Sequence, residues 1–238
     1  MASAREPDGT WSEEWAQGLL ASTQTSTPIY STREVQQILR SAHGQAGLEQ
    51  VSYLARAGVL GQTYTSGGST LFDAKHVDEL VKRPLSTLDD LCNLKSMQPV
   101  DGALVIRQLP LTPADDPVEE ARPFIGTHAA LFDLPQTDDR RQALDEATRQ
   151  CWRLAPRRRS NVWQHIAEHG YCPLIVTIGK FCLGGRDIHS LHVIESGPYT
   201  GRVAFEISDA GAWVDDVRHT WLDAGTGPSI AWWQRPSE

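Results

Sequence analysis

His165 and His169 stand one helical turn apart, with Cys172 three residues further on and Cys182 beyond it. Imidazoles at that spacing share a helix face, and a nearby thiolate would bring three donors toward a tetrahedral zinc shell. Paired cysteines of the CxxC kind are missing, however, and Pro173 follows Cys172 directly. The histidines are therefore read as surface or internally bonded groups, and no metal is expected. Asp187-Ile188-His189 and Asp215-Asp216 carry acid–base groups without a nucleophile in a recognisable turn. Gly184-Gly185 is too short for a phosphate loop. No residue presents itself as a catalyst, no cofactor is expected, and the chain is read as a binding protein rather than an enzyme.

Side chains suited to recognition are better organised. Ser31 is a good helix N-cap, and Thr32 to Leu39 follows with Val35, Ile38 and Leu39 at inward helical spacing. A turn containing Gly44 and Gly47 leads to a second periodic segment with Leu48, Val51, Leu54 and Ala55 inward, stopping at Gly58. That leaves Glu49, Gln50, Ser52, Tyr53 and Arg56 facing out, together with Arg33 on the first helix. These side chains reach base edges and phosphates when such a helix enters a major groove. Leu60 to Tyr64 and Thr70 to Phe72 read as strands around Gly67-Gly68, whose positive φ angles suit a tight hairpin, with Thr65, Ser66 and Ser69 at its tip. Asp73 caps a third helix carrying Val77, Leu80 and Val81.

Tyr30-Ser31-Thr32-Arg33-Glu34-Val35 and Val51-Ser52-Tyr53-Leu54-Ala55-Arg56-Ala57-Gly58-Val59-Leu60, followed by a glycine hairpin and Phe72-Asp73, resemble the MerR-type and phage-excisionase-type winged helices. The resemblance covers residues 29–84 and implies double-stranded DNA as partner. It also implies a second domain that senses an effector or forms a homodimer. The hairpin carries no basic residue at Ser69 or Thr70, so affinity would have to come from dimerisation or from cations elsewhere.

Those cations lie in the second half. Between residues 140 and 159 seven arginines face only Asp145 and Glu146. Helical spacing runs from Asp138 to Cys151, and strand-like runs follow at Leu174–Ile178, Leu191–Ile194 and Arg202–Ile207, with a turn expected at Gly184-Gly185. Apolar runs at Ala103–Ile106 and Ile230–Trp233 complete a mixed α/β region over 103–238. Trp152-Arg153, the apolar strand, the glycine pair and Gly201-Arg202-Val203-Ala204-Phe205 are similar to the PUA-like small β-barrels, EVE and ASCH domains among them. That similarity implies a pocket for a modified base, RNA or a small molecule near Trp152 and Arg153, with Arg157, Arg158 and Arg159 on phosphates.

The fold class is thus α+β, a winged helix-turn-helix followed by a mixed domain. Residues 85–102 read as a linker, and 1–28 as a mostly flexible segment. A short amphipathic helix within it carries Trp11, Trp15 and Leu19. Length and composition fit two modest domains: 238 residues, 40% hydrophobic, with mean hydropathy −0.37. A net charge of −8 excludes indiscriminate coating of nucleic acid. The near-neutral helical region leaves a protein-docking role open as the competing reading. No secretory signal or membrane-length apolar run is seen, and four scattered cysteines suit a reducing compartment, so a cytoplasmic location is expected.

Overall fold

A computed structural model describes residues 28–44, 46–113, 124–132, 139, 145, 148, 151–197, 199–224 and 229–236. The fold is α+β. Its first part begins with β1 (Ile29–Ser31) and α1 (Thr32–His43). Ser31 opens α1 through a reciprocal cap: its hydroxyl accepts from the Glu34 N–H, and the Glu34 carboxylate accepts from the Ser31 N–H at 2.7 Å. Helix α2 (Leu48–Arg56) has Gly47 at its start and no side-chain cap there. Its end is closed by Gly58 at φ +75°, where the Val59 N–H reaches Leu54 O at 2.9 Å and the Gly58 N–H reaches Ala55 O at 3.0 Å. That pair of bonds satisfies the last carbonyls of the helix.

The hairpin of β2 (Thr63–Ser66) and β3 (Ser69–Asp73) turns through Gly67 and Gly68 at φ +56° and +78°. Both angles are positive, as a twist-matched two-residue turn requires. Strand β1 adds to the other side of β3, giving the order β1-β3-β2. Asp73 then accepts from the His76 N–H at 3.1 Å and starts α3 (Ala74–Val81). Two boundaries differ from the sequence reading. Helix α1 runs on to His43, and Leu60 is buried beneath the helices, the hairpin strand starting only at Thr63.

The second part is a seven-stranded sheet ordered β12-β5-β8-β9-β11-β4, with β10 also on β9. Its members are β4 (Leu85–Thr87), β5 (Gly102–Gln108), β8 (Cys172–Ile178), β9 (Phe181–Val193), β10 (Val203–Asp209), β11 (Trp221–Asp223) and β12 (Ile230–Gln234). Two-residue strands β6 (Thr112–Pro113) and β7 (Phe124–Ile125) pair separately. Strands β5 and β8 are parallel neighbours and apolar on both faces, the pattern of a sheet covered on both sides. Alternate residues go to separate cores. Leu104, Ile106, Leu174 and Val176 pack beneath α4 (Pro156–His169) with Val162. Ala103, Val105, Ile175 and Cys182 pack beneath short 3-10 turns with Leu91, Met97 and Trp213.

Three expectations change. Gly184-Gly185 lies inside the 13-residue β9, whose register against β8 shifts from Val176 opposite Gly184 to Thr177 opposite Cys182. The glycines serve a β-bulge, Gly184 having φ +149°, and not a chain reversal. The linker read over 85–102 contains β4, parallel to β11, and buries Leu91, Met97 and Val100. Helical geometry occurs at Asp139, Asp145 and Thr148, but Cys151 has φ +65° and stands outside any helix. The sheet is open: pairing runs from β12 to β4 and does not return on itself among the described residues. Trp11, Trp15 and Leu19 fall outside those residues. No described helix is long and apolar enough to cross a membrane.

The two parts share a core. Ile178, Phe181, Leu183 and Trp221 of the large sheet pack with Val35, Leu39, Leu54, Leu60 and Leu80 of the helical part.

Candidate nucleic-acid interface

Helix α2 buries Val51 and Leu54 and exposes Glu49, Ser52 and Arg56, with Gln50 and Tyr53 half-buried. On one flank it meets the hairpin. Ser52, Arg56, Thr63, Thr70 and Thr32 line a concave surface of ≈ 360 Å³. The Thr32 hydroxyl donates to Thr70 O at 3.3 Å and holds the start of α1 against the hairpin. Hydroxyls and one guanidinium on such a surface are donors for phosphate oxygens and base edges. Arg33 is exposed at the start of α1, and Thr65, Ser66 and Ser69 are exposed at the hairpin tip.

The other flank of α2 faces the large sheet. A groove of ≈ 480 Å³ runs between Arg40, Glu49, Gln50 and Tyr53 on the helical side and Arg107, Gly179 and Lys180 on the sheet side. The Gln50 side chain sits so close to Gly179 that a Cβ there would meet Nε2 at 3.0 Å. Tyr53 donates to Glu49 Oε1 at 2.6 Å, and that bond raises the phenol above its ordinary range. Lys180 is paired with Asp223 at 2.8 Å. The outward residues read from the sequence therefore divide. Ser52 and Arg56 open to solvent beside the hairpin, whereas Gln50, Tyr53 and Glu49 border the sheet.

No family model, curated protein or solved structure matches this chain. The reading of the site therefore rests on its geometry.

The arginine-rich stretch is distributed among different tasks. Trp152 forms an antiparallel bridge with Val203, donates from Nε1 to Thr148 O at 2.7 Å and packs into the core under α4. Arg159 donates from Nε to Leu154 O at 2.9 Å and from a terminal nitrogen to Gly201 O at 2.6 Å. Arg153 and Arg157 are exposed, and Arg158 is half-buried. None of the concave surfaces described in this section is lined by these residues.

The histidine and cysteine set of the sequence is likewise dispersed. His165 is buried, its Nδ1 2.8 Å from Tyr171 O, and burial lowers its pKa. His169 lies 3.5 Å from Asp101. Cys172 and Cys182 are buried in different cores, and desolvation pushes both thiols up to about 12. Among the described residues no group of three or more His, Cys, Asp or Glu side chains is arranged to hold a metal.

Arg107 and Lys180 stand far from α2 in the chain, and only the packing of the helical part on the large sheet brings them beside it. His43 is a second such case. It is the last residue of α1, 8% exposed, and its ring stacks on Trp221 with centroids 4.5 Å apart.

Proposed function

We propose that this chain is a sequence-specific DNA-binding protein of the winged helix-turn-helix type, acting as a transcriptional regulator. In this reading α2 is the recognition helix and the β2–β3 hairpin is the wing. The observation that carries it is the single concave surface on which Ser52 and Arg56 meet Thr63, Thr70 and Thr32. Helix, helix, two-residue hairpin and helix follow one another in 29–84, and the hairpin is exposed along both strands up to Thr70. Arg56 is the side chain placed to read a base or clamp a phosphate, and the hydroxyls would fix the backbone.

Charge sets the mode of binding. With −8 overall and a wing free of lysine and arginine, one surface gathers few phosphates, so paired half-sites bound by a homodimer supply the affinity. The large sheet then serves as the sensing or dimerising part of a cytoplasmic regulator. A modified-base or RNA reader built on Trp152 and the 153–159 arginines has less support, since Trp152 and Arg159 are committed to backbone carbonyls.

Selection of the full chain against a randomised duplex library tests this, followed by anisotropy over a salt series. An enriched motif is expected, with Arg56→Ala plus Ser52→Ala weakening it at least tenfold. No enrichment, or unchanged affinity in the double variant, overturns the assignment of α2.

A further inference from the structure

Strand β12 ends the seven-stranded sheet, with β5 on one side and no strand on the other among the described residues. Its register fixes which backbone groups look outward. The Arg107 N–H donates to Ser229 O at 2.7 Å and the Arg235 N–H donates to Asp101 O at 2.8 Å. Residues 229, 231, 233 and 235 are thus the ones that exchange bonds with β5. The N–H and C=O groups of Ile230, Trp232 and Gln234 point away from the sheet, and no strand takes them among the described residues.

Folded chains guard such an edge with lysine, proline, a bulge or a very short strand. The opposite edge, β4, is three residues long. The β12 strand, Ile230-Ala231-Trp232-Trp233-Gln234, has none of these devices: it is uncharged, rich in β-formers and paired to β5 without a register shift. In sequence Pro228 and Pro236 bracket it, and proline gives no N–H to a ladder, which confines pairing to this window. Trp232 is the middle one of the three outward residues. An antiparallel copy of the same strand, related by a two-fold axis at Trp232, therefore matches it end to end. Trp232 meets the partner's Trp232 and Ile230 meets the partner's Gln234, each pair exchanging both bonds.

We propose that β12 is the homodimer interface, two copies of the chain pairing along Ile230–Gln234 into one continuous sheet. The half-buried Trp232 ring packs beneath α4, its Nε1 donating to Gln234 Oε1 at 3.0 Å, and gains the other copy's ring beside it. The choice of a second copy as occupant rests on the DNA-binding reading above, in which one weakly charged surface needs another. The fold accommodates that choice. The helical part packs on Ile178, Phe181, Leu183 and Trp221, which belong to β8, β9 and β11 and not to the β12 edge. Pairing at β12 leaves the Ser52 and Arg56 surface of each copy open for its half-site.

The test uses the full chain without DNA. Sedimentation velocity across about a hundredfold range of concentration should show a monomer giving way to a dimer. Gln234→Pro removes an outward donor at an exposed position and no bond to β5, and should raise the dimer dissociation constant at least tenfold. Gln234→Ala loses the same side-chain bonds but keeps the N–H, and should dimerise like the parent. Trp232→Cys under mild oxidant should cross-link well above the parent's background, because paired Cα atoms at the axis stand about 5.5 Å apart. Gln234→Cys should not, since in this register it lies roughly 14 Å from its own copy. A monomer at every concentration overturns the proposal. So does a dimer that a folded Gln234→Pro variant leaves intact, or one that cross-links as readily at position 234 as at 232. A dimer of the expected kind that selects no DNA motif fails the earlier reading alone, and a monomer that selects one fails this proposal alone.

Discussion

The indole N–H of Trp221, in the large sheet, donates to the carbonyl oxygen of Leu80, in the last turn of α3, at 3.0 Å. Trp221 is 1% exposed, stacks on His43 and meets Phe181 edge to face. One side chain of the sheet thus caps a helix of the first part and fills the core that the two parts share. Arg83 repeats the theme by donating to His219 O at 3.2 Å. The helical part is consequently not a bead on a linker: its lower face is completed by Ile178, Phe181, Leu183 and Trp221.

Trp221→Phe keeps most of the volume and removes the indole donor to the Leu80 carbonyl, which keeps the Arg83 N–H at 3.2 Å, costing about 0.5–1.5 kcal/mol. Trp221→Ala opens a cavity as well and costs about 3–5 kcal/mol. Urea denaturation followed by circular dichroism should show one cooperative transition for the parent chain, shifted in that order in the variants. Two separate transitions in the parent would mean that the parts unfold independently.

Acid should weaken this same junction. Burial lowers the His43 pKa against a smaller opposing contribution from the Val81 backbone, and the Lys180 ammonium adds a still smaller lowering. Burial also lowers His128 and His165. The folded state therefore holds neutral rings that the unfolded chain protonates near about 6.5. Their contribution is complete above that value and is lost as pH falls through the depressed folded values. Asp187, raised by burial, works in the opposite sense, because its folded form holds a proton above the usual carboxylate value. His43→Phe keeps a ring on Trp221 and should flatten the fall in urea midpoint between about pH 7 and 5. An unaltered slope would show that His43 is not a source of it.

Residues 29–84 were readable because their signals are local. Ser31, Gly58, Gly67-Gly68 and Asp73 each fix a boundary through bonds within a few residues of themselves. The apolar runs of β5, β8 and β12 were visible for the same reason. Pairing was not, since β5 sits beside β8 across some sixty residues of chain and β4 beside β11 across more than a hundred. Gly184-Gly185 misled because a bulge and a turn ask for the same residue. The division of the α2 face was hidden as well, for it depends on where the β8–β9 turn docks. Trp152 and Arg159 look like ligand groups in sequence, and only their carbonyl partners reveal framework roles.

Two glycines separate conformational strain from collision. Gly67 has φ +56° with nothing within 4 Å of a would-be Cβ, so Gly67→Ala should cost only the left-handed strain, about 1–2 kcal/mol. Gly58 has φ +75°, and a Cβ there would stand 2.5 Å from the His128 ring. Gly58→Ala should therefore cost more than Gly67→Ala and loosen the 128–132 segment, a difference that hydrogen exchange at the Ala129 amide can read. Equal losses for the two would mean that His128 moves aside freely.

The arginine stretch permits a sharper separation. Arg159 spans Leu154 O and Gly201 O with one guanidinium, so Arg159→Ala should lose about 1.5–3 kcal/mol. Arg159→Lys should recover little of it, because an ammonium on a flexible stem does not reproduce the planar fork. Arg157 and Arg153 are exposed, and their alanine variants should change stability by no more than about 0.5 kcal/mol. If this stretch supplies phosphate contacts to a bound duplex, those two variants, and not Arg159→Ala, should reduce the salt slope of binding by about one phosphate each. A loss of slope only on removing Arg159 would reverse the assignment, making the clasp the contact and the exposed pair bystanders.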